Sequence, residues 1–181
     1  MRKVVLQMQV SLDGYVGAPD GDVEWVFQNL DEEYEAWGVD ALWQAGVHIM
    51  GGVTGRDMVE HWPTSTEPYA PPMNEIPKVI FSRKMEQVDW EGATIASGDL
   101  AEEIAHLKEQ PGKEILAHGG ASFAQSLSKL GLIDEYRLIT HPVALGDGLR
   151  LFPELSKPLN LKLVDTKTFG TGVIVHIYQP A

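Results

Sequence analysis

The sequence predicts an α/β fold with a mainly parallel sheet covered by helices and finished by antiparallel strands at one edge. Three observations carry this. Short apolar runs alternate with stretches of helical period as far as Gly131. Beyond Gly131 the helical period disappears and strand-like runs follow one another. No repeat, low-complexity segment or Gly/Ser-rich linker divides the 181 residues, so a single domain over 1–181 is expected. Alternating strands and helices give parallel pairing, and consecutive strands give antiparallel pairing.

Residues 2–10 and 47–51 are short and apolar-rich, as strands are. Between them Leu30, Tyr34, Trp37 and Ala41 fall on one helical face, and Asp31, Glu32, Glu35 and Asp40 make a solvated acidic face opposite. The Pro-rich stretch from Pro63 to Pro77 reads as an ordered surface loop. Strands are expected at 78–82 and 93–96. Asp99 and Glu102 then form a capping-box pattern ahead of the stripe Leu100, Ile104, Leu107, and Pro111-Gly112 stops that helix. Strand 114–117 leads to a helix marked by Phe123, Leu127 and Leu130. Strands at 134–141, 160–168 and 173–179 close the chain, the last two joined through Phe169 to Gly172.

Composition removes several classes of function. Against 26 Asp+Glu stand 14 Lys+Arg, a net charge of −12, and such a surface repels nucleic acid. No apolar run approaches the roughly 20 residues that span a bilayer, so no membrane partner is expected. The start, MRKVVLQMQVSLDG, is interrupted by Gln7 and Gln9 and does not read as a secretory signal, which favours the cytoplasm. Cysteine is absent, and the six histidines are scattered singly, so no metal site is expected. A small anionic ligand remains admissible, because helix N-termini and a few placed arginines can offset the charge locally.

Three segments could hold such an anion. In EILAHGGASFAQSLSKL (114–130) a strand ends in Gly119-Gly120 and a helix follows at once. The glycines admit a ligand close to the backbone, and the N–H groups of Ala121, Ser122 and Phe123 lack helical partners. The same pair would equally serve a tight strand-to-helix turn. In VHIMGGVTGRDM (47–58) a strand again passes through glycines, with Thr54 and Arg56 at the start of a helix. In KVIFSR (78–83), Ser82 and Arg83 stand at the carboxyl end of a strand, the side where open α/β sheets bind ligands. Arginine there suits a 2′-phosphate, hence NADPH over NADH. A full G-x-G-x-x-G fingerprint is missing, and so is a G-x-S-x-G nucleophile elbow.

The blocks VSLDGYVG, MGGVTGRDM, FSR, HGGASFAQSLSKLGLIDEYRL and HPVALGDGLRLF occur in an order that resembles the reductase domain of bacterial riboflavin biosynthesis. The resemblance runs from Val4 to Tyr178. It implies the dihydrofolate-reductase-like three-layer α/β/α fold, and an NADPH-dependent reductase acting on a flat heterocyclic small molecule. It extends to an activity like that of a 5-amino-6-(5-phosphoribosylamino)uracil reductase. It further implies that Gly51, Val53 and Thr54 form a first phosphate turn and that Ser82 with Arg83 hold the adenosine 2′-phosphate. Gly119, Gly120, Ala121, Ser122 and Phe123 would form the pyrophosphate turn, with Val10, Asp13 and Gly14 beside the nicotinamide. A homodimer is implied too. Two positions depart from the family pattern: Gly52 stands where a basic residue is common, and His118 where an acidic residue usually precedes the glycine pair.

Asp13 is the expected catalytic carboxylate, by contacting the acceptor or relaying a proton; its alternative role is to brace a turn. Trp25 is the expected substrate-binding aromatic, with ordinary packing as its alternative. A rival for the whole chain is a non-catalytic NADP(H)-binding or sensor module on the same fold.

Overall fold

A computed structural model describes residues 1–181. The strands in chain order are β1 (Val4–Ser11), β2 (Tyr15–Gly17), β3 (Ala45–Gly51), β4 (Lys78–Phe81), β5 (Ala93–Ala96), β6 (Glu114–Ala117), β7 (Glu135–His141), β8 (Leu149–Arg150), β9 (Leu161–Thr168) and β10 (Ile174–Pro180). The helices are α1 (Glu32–Trp43), α2 (Gly52–His61), α3 (Ala70–Glu75), α4 (Leu100–Glu109) and α5 (Ala121–Lys129). Eight strands form one sheet in the order β5-β4-β3-β6-β1-β7-β10-β9. The first six run parallel, and β10 is antiparallel to both neighbours. This is the mostly parallel sheet with antiparallel C-terminal strands that the sequence predicts.

Side-chain alternation sorts the core into two layers. From β1, Val4, Leu6, Met8 and Val10 meet Ile104 and Leu107 of α4 and Phe123 and Leu127 of α5. Val5 faces the other way, into a cluster with Leu42 of α1, Met73 of α3 and Ile80 of β4. Gln7 and Gln9 share that second face by the same alternation. A central strand buried on both sides is the reason β1 reads as a nearly continuous apolar run. Leu6, Ile49, Ile115 and Leu127 have no exposed surface, and cutting any of them to Ala costs about 2–5 kcal/mol.

The amino end of the sheet is closed by ion pairs. Arg137 holds Glu114 through two bonds of 2.7 and 2.9 Å and Glu135 at 2.9 Å. Asp134 accepts from the Val4 N–H at 2.8 Å and from Lys108 Nζ at 2.7 Å. The carboxyl end lies open to the turns that follow β1, β3, β4 and β6.

Two parts differ from expectation. The Pro63–Pro77 stretch is not all loop: it follows the start of a 3₁₀ turn, Trp62–Thr64, and contains α3. Pro71 and Pro72 sit in the first turn of α3, where a missing N–H breaks no helical bond. A small ribbon of β2 with β8, separate from the main sheet, carries too short a pattern to register in the sequence.

Candidate functional site

Because β4, β3, β6 and β1 are parallel neighbours, or nearly so in the sheet order, their carboxyl ends share one edge. The segments singled out from sequence therefore meet there. α2 starts directly from β3 and α5 almost directly from β6, and neither helix has a side-chain N-cap. Gly51 and Gly120 occupy the cap positions, so the first N–H groups of α2 and those of Ala121 and Ser122 in α5 are left for another acceptor, whereas the Phe123 N–H, expected to be free, donates to the Gly120 carbonyl at 3.1 Å.

The glycines are needed for contact between these turns. At Gly120, φ is +106°, and a Cβ there would stand 2.5 Å from Thr54 Oγ1. A Cβ on Gly51 would lie 3.0 Å from that of Phe123, and one on Gly52 2.8 Å from Ser82 Oγ. The last distance explains the family departure at Gly52: a basic side chain has no room while Ser82 is in place. Ser82 Oγ accepts from the N–H groups of Lys84 and Met85, at 3.2 and 3.1 Å, and so shapes the turn that presents Arg83. Arg83 is exposed, belongs to none of the chain's ion pairs, and lines a groove with Ser82, Ser97, Gly98, Phe123 and Ser126. Arg56 lies in a different cavity, with Lys84 and Asp89.

On the α1 face of the sheet lies a cavity of about 420 Å³. Gln7, Gln9 and His118 line it from the sheet, and Tyr34, Glu35 and Leu42 from α1. Val26, Phe27 and Leu30 from the segment before α1, and Met58, Trp62, Tyr69 and Met73 from α2, α3 and their connection, complete the wall together with Gly38 and Glu67. Gly38 makes room for Tyr69, whose hydroxyl would be 2.9 Å from a Cβ at that position.

Hydrogen bonds fix the protonation of the cavity's polar side. His48 Nε2 lies 3.2 Å from the Pro72 carbonyl, which can only accept, so Nε2 carries a proton. Burial pushes the His48 pKa down to about 4, so the ring is neutral and Nδ1 is a bare acceptor. His118 Nε2, 2.9 Å away, must donate to it. Burial, with His48 alongside, also holds His118 well below the usual imidazole range. His118 is therefore neutral, with a bare Nδ1 as its free polar atom. A second chain runs from His141 Nε2 to Gln9 Oε1 (2.7 Å) and from Gln9 Nε2 to the Tyr34 hydroxyl (2.9 Å). Burial lowers His141 to about 4 as well. Gln7 Oε1 is buried with no partner in the protein.

A family model described as the RibD C-terminal domain matches residues 2–175. The chain belongs to the RibD C-terminal domain family. It is 32% identical over 183 residues to the uncharacterized protein YyaP of Bacillus subtilis (strain 168), covering 98% of this chain and 95% of that one. To YwjB of the same organism it is 30% identical, covering 97% of each. Among solved structures, a Shewanella sp. PV-4 protein described in terms of riboflavin biosynthesis superposes with a TM-score of 0.78 at 24% identity, over 99% of each chain. A diaminohydroxyphosphoribosylaminopyrimidine deaminase/5-amino-6-(5-phosphoribosylamino)uracil reductase from Thermotoga maritima gives 0.71 at 16% identity, over 99% of this chain and 57% of that one. These likenesses show the shared dihydrofolate-reductase-like fold.

Within this RibD C-terminal domain the expected site residues separate into two groups. Gly51, Thr54, Ser82, Gly119, Gly120 and Phe123 come together at the adjoining strand ends, with Ala121 and Ser122 in the first turn of α5. Val53 is 71% exposed in the first turn of α2. Val10 packs inward in the α4–α5 core cluster, and Gly14 turns the chain after β1 with φ +90°.

The two residues given chemical roles are placed otherwise. Asp13 Oδ1 accepts from Ser11 Oγ at 2.6 Å and from the Leu145 N–H at 3.0 Å, while Oδ2 accepts from the Gly146 N–H at 2.7 Å. These bonds, Ser11 first, hold its pKa down to about 2. Both oxygens serve the joint between the loop after β1 and the loop before β8, so Asp13 is a brace rather than a free acid. Trp25 is only 5% exposed and packs edge-on against His141 at 5.4 Å. The aromatic that reaches the cavity from this segment is Phe27, 68% exposed. Sequence reading missed Gln7, Gln9, Tyr34 and Phe27 as cavity residues. The available signal was two glutamines at alternate positions of a strand otherwise buried on both faces.

Proposed function

We propose that this chain is an oxidoreductase that binds NADPH across the carboxyl ends of β4, β3 and β6 and reduces a flat heterocycle held in the α1-face cavity. The observation that carries this reading is the junction of two uncapped helix N-termini through glycine turns, beside an exposed unpaired arginine and next to a cavity with an ordered polar side. Membership of the RibD C-terminal domain family supports it, since its structural relatives include a uracil reductase.

The residues fit the cofactor. Gly51, Val53 and Thr54 would hold one phosphate with the first N–H groups of α2, and Gly119 through Phe123 another with those of α5. Ser82 and Arg83 would hold the 2′-phosphate, and Gly14 with the backbone at Val10, whose side chain stays in the core, would border the nicotinamide. When bound, NADPH supplies a hydride, and the protein's part is to orient two ligands and exclude water. Tyr34, Gln7, Gln9 and His118 orient the acceptor, while Trp62, Tyr69 and Phe27 form walls that displace water. Asp13 keeps the loop after β1 in place. Pairing of two copies is part of this proposal, and sedimentation reads it directly.

The test is NADPH titration followed by its oxidation at 340 nm with a panel of pyrimidine and pteridine acceptors. Saturable binding with turnover supports the reductase. Tight binding without turnover supports the sensor module, and no binding removes both.

A further inference from the structure

We infer that the α1-face cavity takes an uncharged, donor-edged heterocycle without a phosphate, so that the acceptor is an aminopyrimidine-type nucleoside, whose ribosylamine can open to an imine that takes hydride and a proton, rather than its phosphoribosyl form. The inference rests on the reductase reading only for the word acceptor; what the cavity binds is independent of it.

Charge gives the first argument. None of the chain's 14 Lys and Arg lines this cavity, and two carboxylates, Glu35 and Glu67, do. Both are exposed, where a substituent leaving the cavity would meet them. Glu67 contacts His61 Nε2 at 3.0 Å, which offsets one charge only when His61 is protonated, and Glu35 belongs to no ion pair of the chain. Lys78, whose charge is felt at His48, is already committed to the carbonyls of Asn74 and Glu91 and lies over the Trp90 ring. Nor does the backbone supply an anion site. The N-terminus of α1 is capped by its own Asp31, which accepts from the Tyr34 N–H at 2.8 Å, and carries Glu32, Glu33 and Glu35 in its first turn. Its positive dipole end is thus already offset. A phosphate dianion would meet like charge and no donor cluster.

Hydrogen bonding gives the second. The tautomer chain from the Pro72 carbonyl through His48 leaves His118 Nδ1 as an acceptor, and Gln7 Oε1 is a buried acceptor with nothing bound. Buried acceptors without donors are costly, and a ligand bringing N–H groups relieves the cost. Trp62, Tyr69, Phe27 and Met58 supply flat or compliant apolar walls, and about 420 Å³ is ample for a base with a sugar. Ring amines and ring N–H groups match this lining.

Calorimetric titration of the full chain, with and without NADPH, tests the inference. The probes are 5,6-diaminouracil, its 1,3-dimethyl derivative, and 5-amino-6-ribosylaminouracil with its 5′-phosphate. The unphosphorylated nucleoside should bind at least tenfold more tightly than the phosphate, and 5,6-diaminouracil at least tenfold more tightly than the dimethyl compound. Gln7→Leu should weaken 5,6-diaminouracil about tenfold at unchanged melting temperature, and the pair Glu35→Lys with Glu67→Lys should shift the nucleoside-to-phosphate ratio toward the phosphate. Equal or tighter binding of the phosphate by the wild-type chain overturns the inference, as does failure of both 5,6-diaminouracil and the unphosphorylated nucleoside to bind at 1 mM. Because ligand pairs on the wild-type chain decide the matter, misfolding of a variant changes nothing. Failure of NADPH to bind sinks the reductase reading alone.

Discussion

The two halves of the carboxyl edge are made of opposite materials. Around the ends of β4, β3 and β6 the site is backbone: glycines, free helix N–H groups, two small hydroxyls and one unpaired arginine. In the cavity beneath α1 it is side chain: amides, imidazole, phenol and two carboxylates with no cation. In a chain of net charge −12 an anion cannot be attracted by the surface as a whole, so its site has to be local and short-ranged. The contrast sorts ligands by charge. A polyanion such as the proposed cofactor would be favoured on one side and disfavoured in the neighbouring cavity.

The contrast is most sharply broken at Gly120. Gly120→Val puts a side chain onto Thr54 Oγ1 at a backbone angle only glycine adopts readily, and NADPH affinity should fall more than a hundredfold. Thr54→Val, which keeps the shape, should cost about tenfold and show that loss of fold is not the cause. Fluorescence titration beside thermal melts reads both; unchanged affinity in Gly120→Val makes the glycine turn merely structural.

Arg83→Ala should weaken NADPH by about ten- to hundredfold, the range for a hydrogen bond to a charged group, and NADH by much less. Equal losses for the two cofactors would remove Arg83 from the 2′-phosphate site.

At Asp13 the expected effect is smaller. Asp13→Asn keeps one acceptor but turns an amide N–H₂ toward a backbone donor. NADPH affinity should hold, and single-turnover hydride transfer should fall less than tenfold. A drop of a hundredfold would restore the catalytic role. Because its folded pKa of about 2 lies below the ordinary 3.8, the brace is fully present above pH 3.8 and is lost as pH falls toward 2. Melting temperature in that window should respond less to pH in Asp13→Asn than in the wild type. The buried histidines follow the same sign at higher pH. With His48 and His141 lowered from 6.5 to about 4, stability should already decline between those values as the pH falls.

The smallest effect serves as a control. α4 is capped by Asp99, which accepts from the N–H groups of Ala101 and Glu102. Asp99→Ala should cost about 1 kcal/mol of stability by chemical denaturation and leave NADPH affinity unchanged. A change in affinity would mean that capped and uncapped helix starts are not functionally distinct.

How far each half could be read from sequence follows from how it is assembled. The glycine-turn half consists of contiguous strand–turn–helix segments, so Gly51 to Thr54 and Gly119 to Phe123 signal locally, and the sheet order brings them together. The cavity consists of long-range meetings: His48 with His118 lie 70 residues apart, and Gln9 with His141 lie 132. No window of sequence contains such a pair. Gln7 and Gln9 were visible as interruptions of an apolar run, but what they interrupt it for depends on α1 lying over them. Trp25 and Phe27 show the limit inside one short element. Both are aromatics of a 3₁₀ segment, Glu24–Asn29, and only the packing of His141 against Trp25 decides which one turns inward.

The position of β1 also has a temporal consequence. It is made well before either of its neighbours, β6 and β7, which come from residues 114–117 and 135–141. During synthesis an apolar strand with two unpaired edges must therefore wait until most of the chain has emerged. The sheet can close around it only late, since contacts this distant in sequence form slowly. Until then the nascent chain carries an apolar strand with both edges open, and β1 depends for protection on collapse or on a chaperone.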